Sequence, residues 1–280
     1  MQLSFNKGLT YTPPAQREIM PFGTLLGYAK EHWVPYACHM VCIGMLAKVL
    51  GPFYAYPIAV ISTAIALVYF YAKGKYPELS PRGTTAVDWL LAVLVGVVGI
   101  VLWIAPYHYF REIMFARIPV LGNTNIYLSF TYGADIAEDA WRRVAGGLIM
   151  LPTALPTSTY NVPELSGLWK NVFIAMRMCG AVITVPFFEE LFTRSLVIRF
   201  VEDEYYKRVP IGWFTRRSAL IALGIFVFSH PWWLVAVIWG ALIMWLLYTT
   251  RNLLVCVTAH AVSNLLLALY ILQTGNYYLW

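Results

Sequence analysis

Charged and polar side chains interrupt the apolar C-terminal part of the chain at three places. The first is the sequence EELFTR, which holds Glu189, Glu190 and Arg194. Glu190 and Arg194 are four residues apart, so on a helix they share a face and can form an ion pair. Glu189 points about 100° away from Glu190 on the same helix, which leaves it without a helical partner. A carboxylate of this kind can act as a general base towards water.

The second and third places supply histidines and an amide. His230 in FVFSH precedes a proline, and a residue before proline is pushed out of the helical region, so His230 is expected at a helix end. HAVSN places His260 and Asn264 on one face of a helix. Each of these features alone is typical of hydrogen bonding between membrane helices. Combined with the spare carboxylate, they supply the base, the proton-transfer group and the oxyanion donors that amide hydrolysis needs.

Other hydrolase chemistries lack their usual motifs. The chain contains no G-x-S-x-G and no H-E-x-x-H, and Ser229 beside His230 in sequence does not by itself make a catalytic dyad. Glu189, His230 and His260 would still offer three zinc ligands with one open position. Two enzyme hypotheses stay open, a hydrolase that needs no cofactor and a zinc hydrolase.

Composition defines the class of protein that must position these groups. The chain of 280 residues is 60% hydrophobic and 12% charged, whereas soluble domains carry roughly 25% charged residues. We predict an all-α, polytopic transmembrane bundle of about seven or eight membrane helices, at about 20 residues each, with interfacial amphipathic helices. The formal charge of +6 fits basic loops on the cytoplasmic side of a membrane, and we predict no nucleic-acid partner.

The apolar runs give a provisional topology and three regions. Residues 1–33 are predicted to be a cytoplasmic or interfacial segment, 34–168 N-terminal membrane helices with an interfacial region from 106 to 168, and 169–280 the catalytic membrane domain. Within them, the predicted spans are 35–50, 53–72, 86–105, 169–200, 218–229, 232–249 and 253–272. Pro186 is interpreted as a possible helix start, which would put Glu189 in a first turn that favours its ionised form. Basic residues of the intervening loops fall on one side if the N-terminus is cytoplasmic.

The three motifs together resemble a known family. E-E-x-x-x-R, F-x-x-x-H starting at Phe226 and H-x-x-x-N, in this order on membrane helices, are similar to the CAAX protease and bacteriocin-processing (CPBP, also ABI) family of glutamate intramembrane endopeptidases. The resemblance covers roughly residues 170–272. The stretch HAVSNLLLALYILQTGNYYLW also resembles the bacterial CAAX-protease-related proteins found with exosortase (PEP-CTERM) sorting systems.

This resemblance implies a role for each motif residue. Glu189 would be the general base for water, His230 would help to hold that water, and His260 and Asn264 would stabilise the oxyanion. The supporting residues would be Glu190, Arg194 and Phe226. The implied partners are the lipid bilayer and a peptide or protein substrate in or at the membrane, and the implied location is the bacterial cytoplasmic (inner) membrane. Some family members act as scaffolds or in immunity without demonstrated proteolysis, so a non-enzymatic role is the third hypothesis. The sequence does not indicate an oligomeric state.

Overall fold

The computed structural model describes residues 5–14, 19–117, 162–230 and 233–279, and these ranges contain helices and no strand. The helices are α1 Phe22–Leu50, α2 Pro52–Ala72, α3 Ala86–Arg117, α4 Gly167–Glu202, α5 Arg216–Phe228, α6 Trp233–Thr250 and α7 Leu253–Thr274. Five of them, α1 to α4 and α7, are long and apolar enough to cross a membrane, and a shorter apolar helix lies within α6. The predicted all-α membrane bundle is confirmed.

Helix α1 begins within residues 1–33, the segment predicted to be cytoplasmic or interfacial, and the location of that segment stays a prediction. The helix begins at Phe22 and continues through Pro35 and a π segment, Cys42–Leu46, to its end at Leu50. The polar residues that suggested a surface segment include Glu31 and His32, which are only 2% and 1% exposed. The charged residues in this stretch make buried polar contacts, and composition alone does not distinguish such residues from charged residues at a membrane surface.

The interfacial region predicted for residues 106–168 is only partly described. Helix α3 continues to Arg117, beyond the candidate membrane span Ala86–Ala105, so the start of this region is helical and its interfacial position stays a prediction. Residues 118–161 lie outside the described ranges, and the expectation for them stays a prediction. The three-region division of the chain likewise stays a prediction.

The interpretation of Pro186 as a helix start is wrong. Helix α4 is continuous from Gly167 to Glu202, and Thr184 just before the proline already has helical angles, φ −65° and ψ −47°. The Val185 N–H bonds to the Gly180 carbonyl, five residues back, within a π segment. This wider turn precedes the proline, which has no N–H to donate and would disturb a regular α-helical ladder. Glu189 consequently lies inside a long helix, and no helix N-terminus stabilises its charge.

The polar loops meet at one end of the bundle, as the distribution of basic residues predicts. The Asn6 side chain donates to the Phe214 carbonyl at 2.8 Å and accepts from the Phe214 N–H at 2.7 Å. The Asn252 side chain donates to the Ser80 carbonyl at 2.8 Å. These bonds bring together the N-terminal segment, the loops after α2 and α4, and the short turn before α7.

A buried polar cluster lies near this end, and we call His32, Glu78, Ser195, Arg199 and Tyr206 the Glu78 cluster. One carboxylate oxygen of Glu78 lies 2.6 Å from His32 Nε2, 2.7 Å from Ser195 Oγ and 3.2 Å from Arg199 Nη2. The Tyr206 hydroxyl lies 3.0 Å from His32 Nδ1. The cluster ties α1 and the loop after α2 to the C-terminal half of α4.

The Glu78 cluster is expected to make stability depend on pH on the acid side. Burial alone would raise the pKa of Glu78, but the hydrogen bond and charge of His32 and the charge of Arg199 lower this pKa from 4.5 to about 2. Ionised Glu78 therefore stabilises the fold by about 3 kcal/mol above pH 4.5, and this contribution is lost as the pH falls towards 2. Unfolding of the wild type and Glu78→Gln in detergent should differ at pH 7, and the difference should shrink as the pH falls from 4.5 towards 2. A difference that does not change with pH would contradict this assignment.

Helices α3 and α7 pack closely at Gly96. A Cβ atom at this position would lie 2.7 Å from Val262 Cγ1 and 2.8 Å from the Ala259 carbonyl oxygen. Gly96→Ala is expected to lower the free energy of unfolding by about 1–3 kcal/mol, because the helices must move apart. The matched control is Gly224→Ala, where the new methyl group meets open space and helix propensity rises. Thermal unfolding in detergent compares the two, and equal effects would contradict the close contact.

Candidate active site

Glu190 is the centre of the buried polar site. Its side chain is completely buried; one oxygen lies 3.3 Å from Arg194 Nε, and the other accepts a hydrogen bond from His260 Nδ1 at 2.9 Å. The ion pair predicted from the four-residue spacing is confirmed. Because His260 belongs to α7, Glu190 also joins the middle of α4 to the last helix.

Phe226 links this centre to the end of α5. The Arg194 guanidinium lies over the Phe226 ring at 4.2 Å. The His230 ring lies 4.3 Å from the Phe226 ring, and the two ring planes are tilted by 37°. Helix α5 ends at Phe228, so His230 follows a helix end, as the proline after it predicts. His230 Nδ1 lies 2.7 Å from the Phe226 carbonyl oxygen, which fixes the orientation of the ring.

Glu189 points away from the Glu190–Arg194 pair, towards α1. Its Oε2 atom is buried, and no residue in the described ranges donates a hydrogen bond to it. The neighbour on α1 is Tyr36, which interacts electrostatically with Glu189 and whose hydroxyl lies beside Ser229. The aromatic rings that flank Glu189 in sequence hold Tyr36: it stacks on Phe192 at 4.1 Å and meets Phe188 edge-on at 5.7 Å.

Thr193 connects the two carboxylates through the main chain. Its hydroxyl donates to the Glu189 carbonyl at 2.6 Å and accepts from Arg194 Nη1 at 2.7 Å. The segment from Glu190 to Val197 is a π segment, and such widened turns are frequent at functional sites. The direction of Glu189 is thus coupled to the ion pair that holds Glu190.

Asn264 lies one turn beyond His260 on α7. Its Nδ2 donates to the Ala181 carbonyl at 2.7 Å, in the π segment that precedes the carboxylates on α4. A side-chain amide has two N–H donors, so one of them is engaged in holding α7 against α4. The other remains for a ligand or substrate.

The structure brings most of the predicted residues into one contact network. Direct contacts join five of them, Glu190, Arg194, Phe226, His230 and His260. Glu189 adjoins the network through the main chain, and His260 is bonded to Glu190 instead of to Glu189. Asn264 is connected to the network through helix α7, which also carries His260.

Sequence reasoning missed the contribution of α1. His32, Tyr36 and His39 follow each other at spacings of four and three, which places them on one helix face. They meet α4 in reverse order: His32 contacts Ser195, Tyr36 contacts Phe192, and the His39 ring lies 4.6 Å from the Phe188 ring. Helix α1 is therefore aligned antiparallel to the segment that carries Glu189. The recurring polar and aromatic residues were the available signal.

The zinc hypothesis requires Glu189, His230 and His260 to converge as ligands. Across the parts of the chain that the structure describes, no three His, Cys, Asp or Glu side chains are grouped closely enough to hold a metal ion. In this arrangement these residues do not fit a zinc site, and we derive no step through a metal.

Helices long and apolar enough to cross a membrane, with a buried carboxylate–histidine contact between two of them, define an integral membrane protein. Residues 171–266 match the family model described as type II CAAX prenyl endopeptidase Rce1-like, and this range contains all three motifs. Residues 171–266 are thus similar to the CAAX protease family of membrane endopeptidases. No curated protein and no solved structure matches it.

Proposed function

We propose that the protein is a glutamate intramembrane endopeptidase that cleaves a peptide bond near the C-terminus or the membrane-proximal part of its substrate. The observation that carries the proposal is the separation of the two carboxylates. Glu190 forms an ion pair with Arg194 and is bonded to His260, whereas Glu189 has no such partner among the described residues; its buried Oε2, like that of Glu190, accepts no hydrogen bond from them. A carboxylate in that state is suited to accept a proton from water.

The hydrogen bonds of His230 suit the role of holding that water. Its Nδ1 atom faces the Phe226 carbonyl, which only accepts, so Nδ1 carries the hydrogen. In the neutral ring the other nitrogen, Nε2, then has a free lone pair. It can accept a hydrogen bond from a water molecule whose other hydrogen is directed to Glu189.

His260 and Asn264 supply the donors for an oxyanion. The Nδ1 hydrogen of His260 is taken by Glu190, so a hydrogen bond from Nε2 to the oxyanion requires the doubly protonated ring. The free N–H of the Asn264 amide is the second donor, and both lie on one face of α7.

The reaction proceeds in two steps without a covalent enzyme intermediate. The water oxygen attacks the carbonyl carbon of the substrate while Glu189 takes one water proton, and the carbonyl oxygen becomes the oxyanion. The C–N bond then breaks, and protonated Glu189 returns the proton to the leaving amine. The products are a carboxyl group and an amine, and Glu189 is again ionised.

The test is a cleavage assay with the purified protein in nanodiscs. A library of peptides, each anchored by one apolar helix and varied in its membrane-proximal and C-terminal sequence, is incubated with the protein, and mass spectrometry identifies new termini. In H₂¹⁸O the new carboxyl group should gain one labelled oxygen. Cleavage that survives a zinc chelator supports the glutamate mechanism, and cleavage lost with the chelator and restored by zinc supports the zinc hypothesis. A folded protein that cleaves no peptide supports the scaffold or immunity role.

Asn264→Ala is expected to lower kcat by about 10²–10³-fold, because an oxyanion donor is lost. KM should change little, since the developing charge exists only in the transition state. The control is Asn276→Ala, beyond the end of α7, which should keep wild-type kcat. A purely structural role for Asn264, through its bond to Ala181, would show instead as a lower Tm with normal kcat for the folded fraction.

We also propose that the protein lies in a bacterial cytoplasmic membrane with its polar end in the cytoplasm. The N-terminal segment and the basic loops after α2 and α4 share that end, and basic loops favour the cytoplasmic side. A cysteine introduced at Lys75, which is exposed, should react with a membrane-impermeant maleimide only after the cells are opened. Labelling in intact cells would contradict this orientation and indicate the opposite one.

A further inference from the structure

The Glu78 cluster contains a serine, a histidine and a carboxylate, the three groups of a nucleophilic triad. In such a triad the carboxylate binds the histidine nitrogen opposite to the one that faces the serine. Here both Glu78 and Ser195 approach the same nitrogen, His32 Nε2, at 2.6 and 3.2 Å, and Ser195 donates its hydrogen to Glu78 at 2.7 Å. The opposite nitrogen faces Tyr206. This geometry does not activate Ser195, so the cluster needs another explanation.

The contacts of the cluster fall on the helix that carries the site. Ser195 directly follows Arg194, and Arg199 lies one turn further along α4. The Arg199 side chain also donates from Nε to the Ser195 carbonyl at 2.7 Å, at the C-terminal end of the π segment Glu190–Val197. The partners of these two residues, His32 and Glu78, come from outside the range that matches the family model.

A rotation of α4 about its axis would change the directions in which the side chains of the site point. Glu189 and Glu190 are neighbours with different surroundings, and about 100° of helix rotation separates their directions. A shift of the π segment by one residue would turn Glu189 towards the position of Glu190 and leave Arg194 without its partner. Contacts that fix the rotation of α4 just beyond Arg194 consequently decide which carboxylate faces Tyr36.

We propose that Glu78 is a positioning residue: with His32 it holds Ser195 and Arg199, and so fixes the rotation of the helix that presents Glu189 to the reaction. The adjacent contacts support this role. The Tyr76 hydroxyl donates to the Glu31 carbonyl at 2.6 Å, and Lys207 forms an ion pair with the Glu31 carboxylate. The loops at the polar end thereby anchor α1 on the same side of α4. The inference rests on the proposed function only for the role of Glu189.

The first test does not need activity. Amide hydrogen exchange is followed by mass spectrometry in full-length wild-type protein, Glu78→Gln and Ser195→Ala, with Glu164→Gln, a substitution of an exposed carboxylate, as the matched control. We expect exchange to rise about tenfold more within residues 186–199 than in α3 and α7. Ser195→Ala removes a single hydroxyl and leaves the Glu78–His32 contact. It therefore tests the positioning role even if Glu78→Gln does not fold. Unchanged exchange, or an equal rise in all helices, overturns the proposal.

The second test uses any anchored peptide that the wild type cleaves. Glu78→Gln and Ser195→Ala should lower kcat about tenfold or more per folded molecule at unchanged KM, and Glu78→Asp should recover part of the loss. If these residues were merely structural, their substitution would reduce the folded fraction and leave kcat of that fraction normal. This result overturns the positioning role. If the wild type cleaves no peptide, the proposed function fails, whereas the exchange experiment still decides whether the cluster holds α4.

Discussion

Glu189→Gln is expected to lower kcat for peptide hydrolysis by about 10²–10⁴-fold while the protein still folds. Glutamine has nearly the same shape but cannot take a proton from water. No ion pair within the described residues involves Glu189, and its buried Oε2 accepts no hydrogen bond from them. The substitution therefore removes no described contact of that atom, and the loss should be one of chemistry alone. Cleavage of an anchored peptide gives kcat, and thermal unfolding checks the fold.

Two comparisons make this result specific to Glu189. Glu164→Gln, in the short 3₁₀ segment before α4, should retain wild-type kcat. Glu190→Gln changes the neighbouring carboxylate and should lower Tm, since Glu190 loses its charge towards Arg194 and His260. If Glu189→Gln kept more than a tenth of the activity, or if Glu190→Gln were the variant with normal stability and no activity, the roles assigned to the two carboxylates would be wrong.

Arg194→Met is expected to destabilise the protein by about 3–5 kcal/mol. Arg194 and Glu190 are 2% and 0% exposed, and removal of one partner leaves the other charge buried without compensation. The substitution also removes the guanidinium from the Phe226 ring and a donor from Thr193. Unfolding of the variant in mixed micelles gives the change in free energy.

The double substitution tests the physical reason. Adding Glu190→Gln to Arg194→Met should recover a large part of the lost stability, because the uncompensated carboxylate is then gone. Arg217→Met, at an exposed arginine of α5, should change the free energy of unfolding by less than about 0.5 kcal/mol. If the double variant were as unstable as the sum of the single variants, the ion pair would not be the source of the effect.

The local spacing of residues predicted a large part of the site. A separation of four residues fixes which side chains share a helix face, so the Glu190–Arg194 pair and the separate direction of Glu189 followed from sequence alone. The proline after His230 predicted the helix end that the structure contains. The backbone hydrogen bonds around Pro186 were not predictable in the same way, because a π segment before a proline leaves no pattern in the composition.

The sequence by itself determined the class of this protein, an all-helical membrane bundle, because a chain with so few charges must bury its backbone polar groups in helices. It also predicted which side chains are candidates for the chemistry, since ionisable groups within apolar helices are costly and rare. Only the tertiary structure decided how His260, Tyr36 and the Glu78 cluster are placed around α4. His260 is 70 residues away from Glu190 in the chain, and Glu78 is 117 residues away from Ser195. Contacts at such separations depend on how helices pack, and no local spacing specifies that packing.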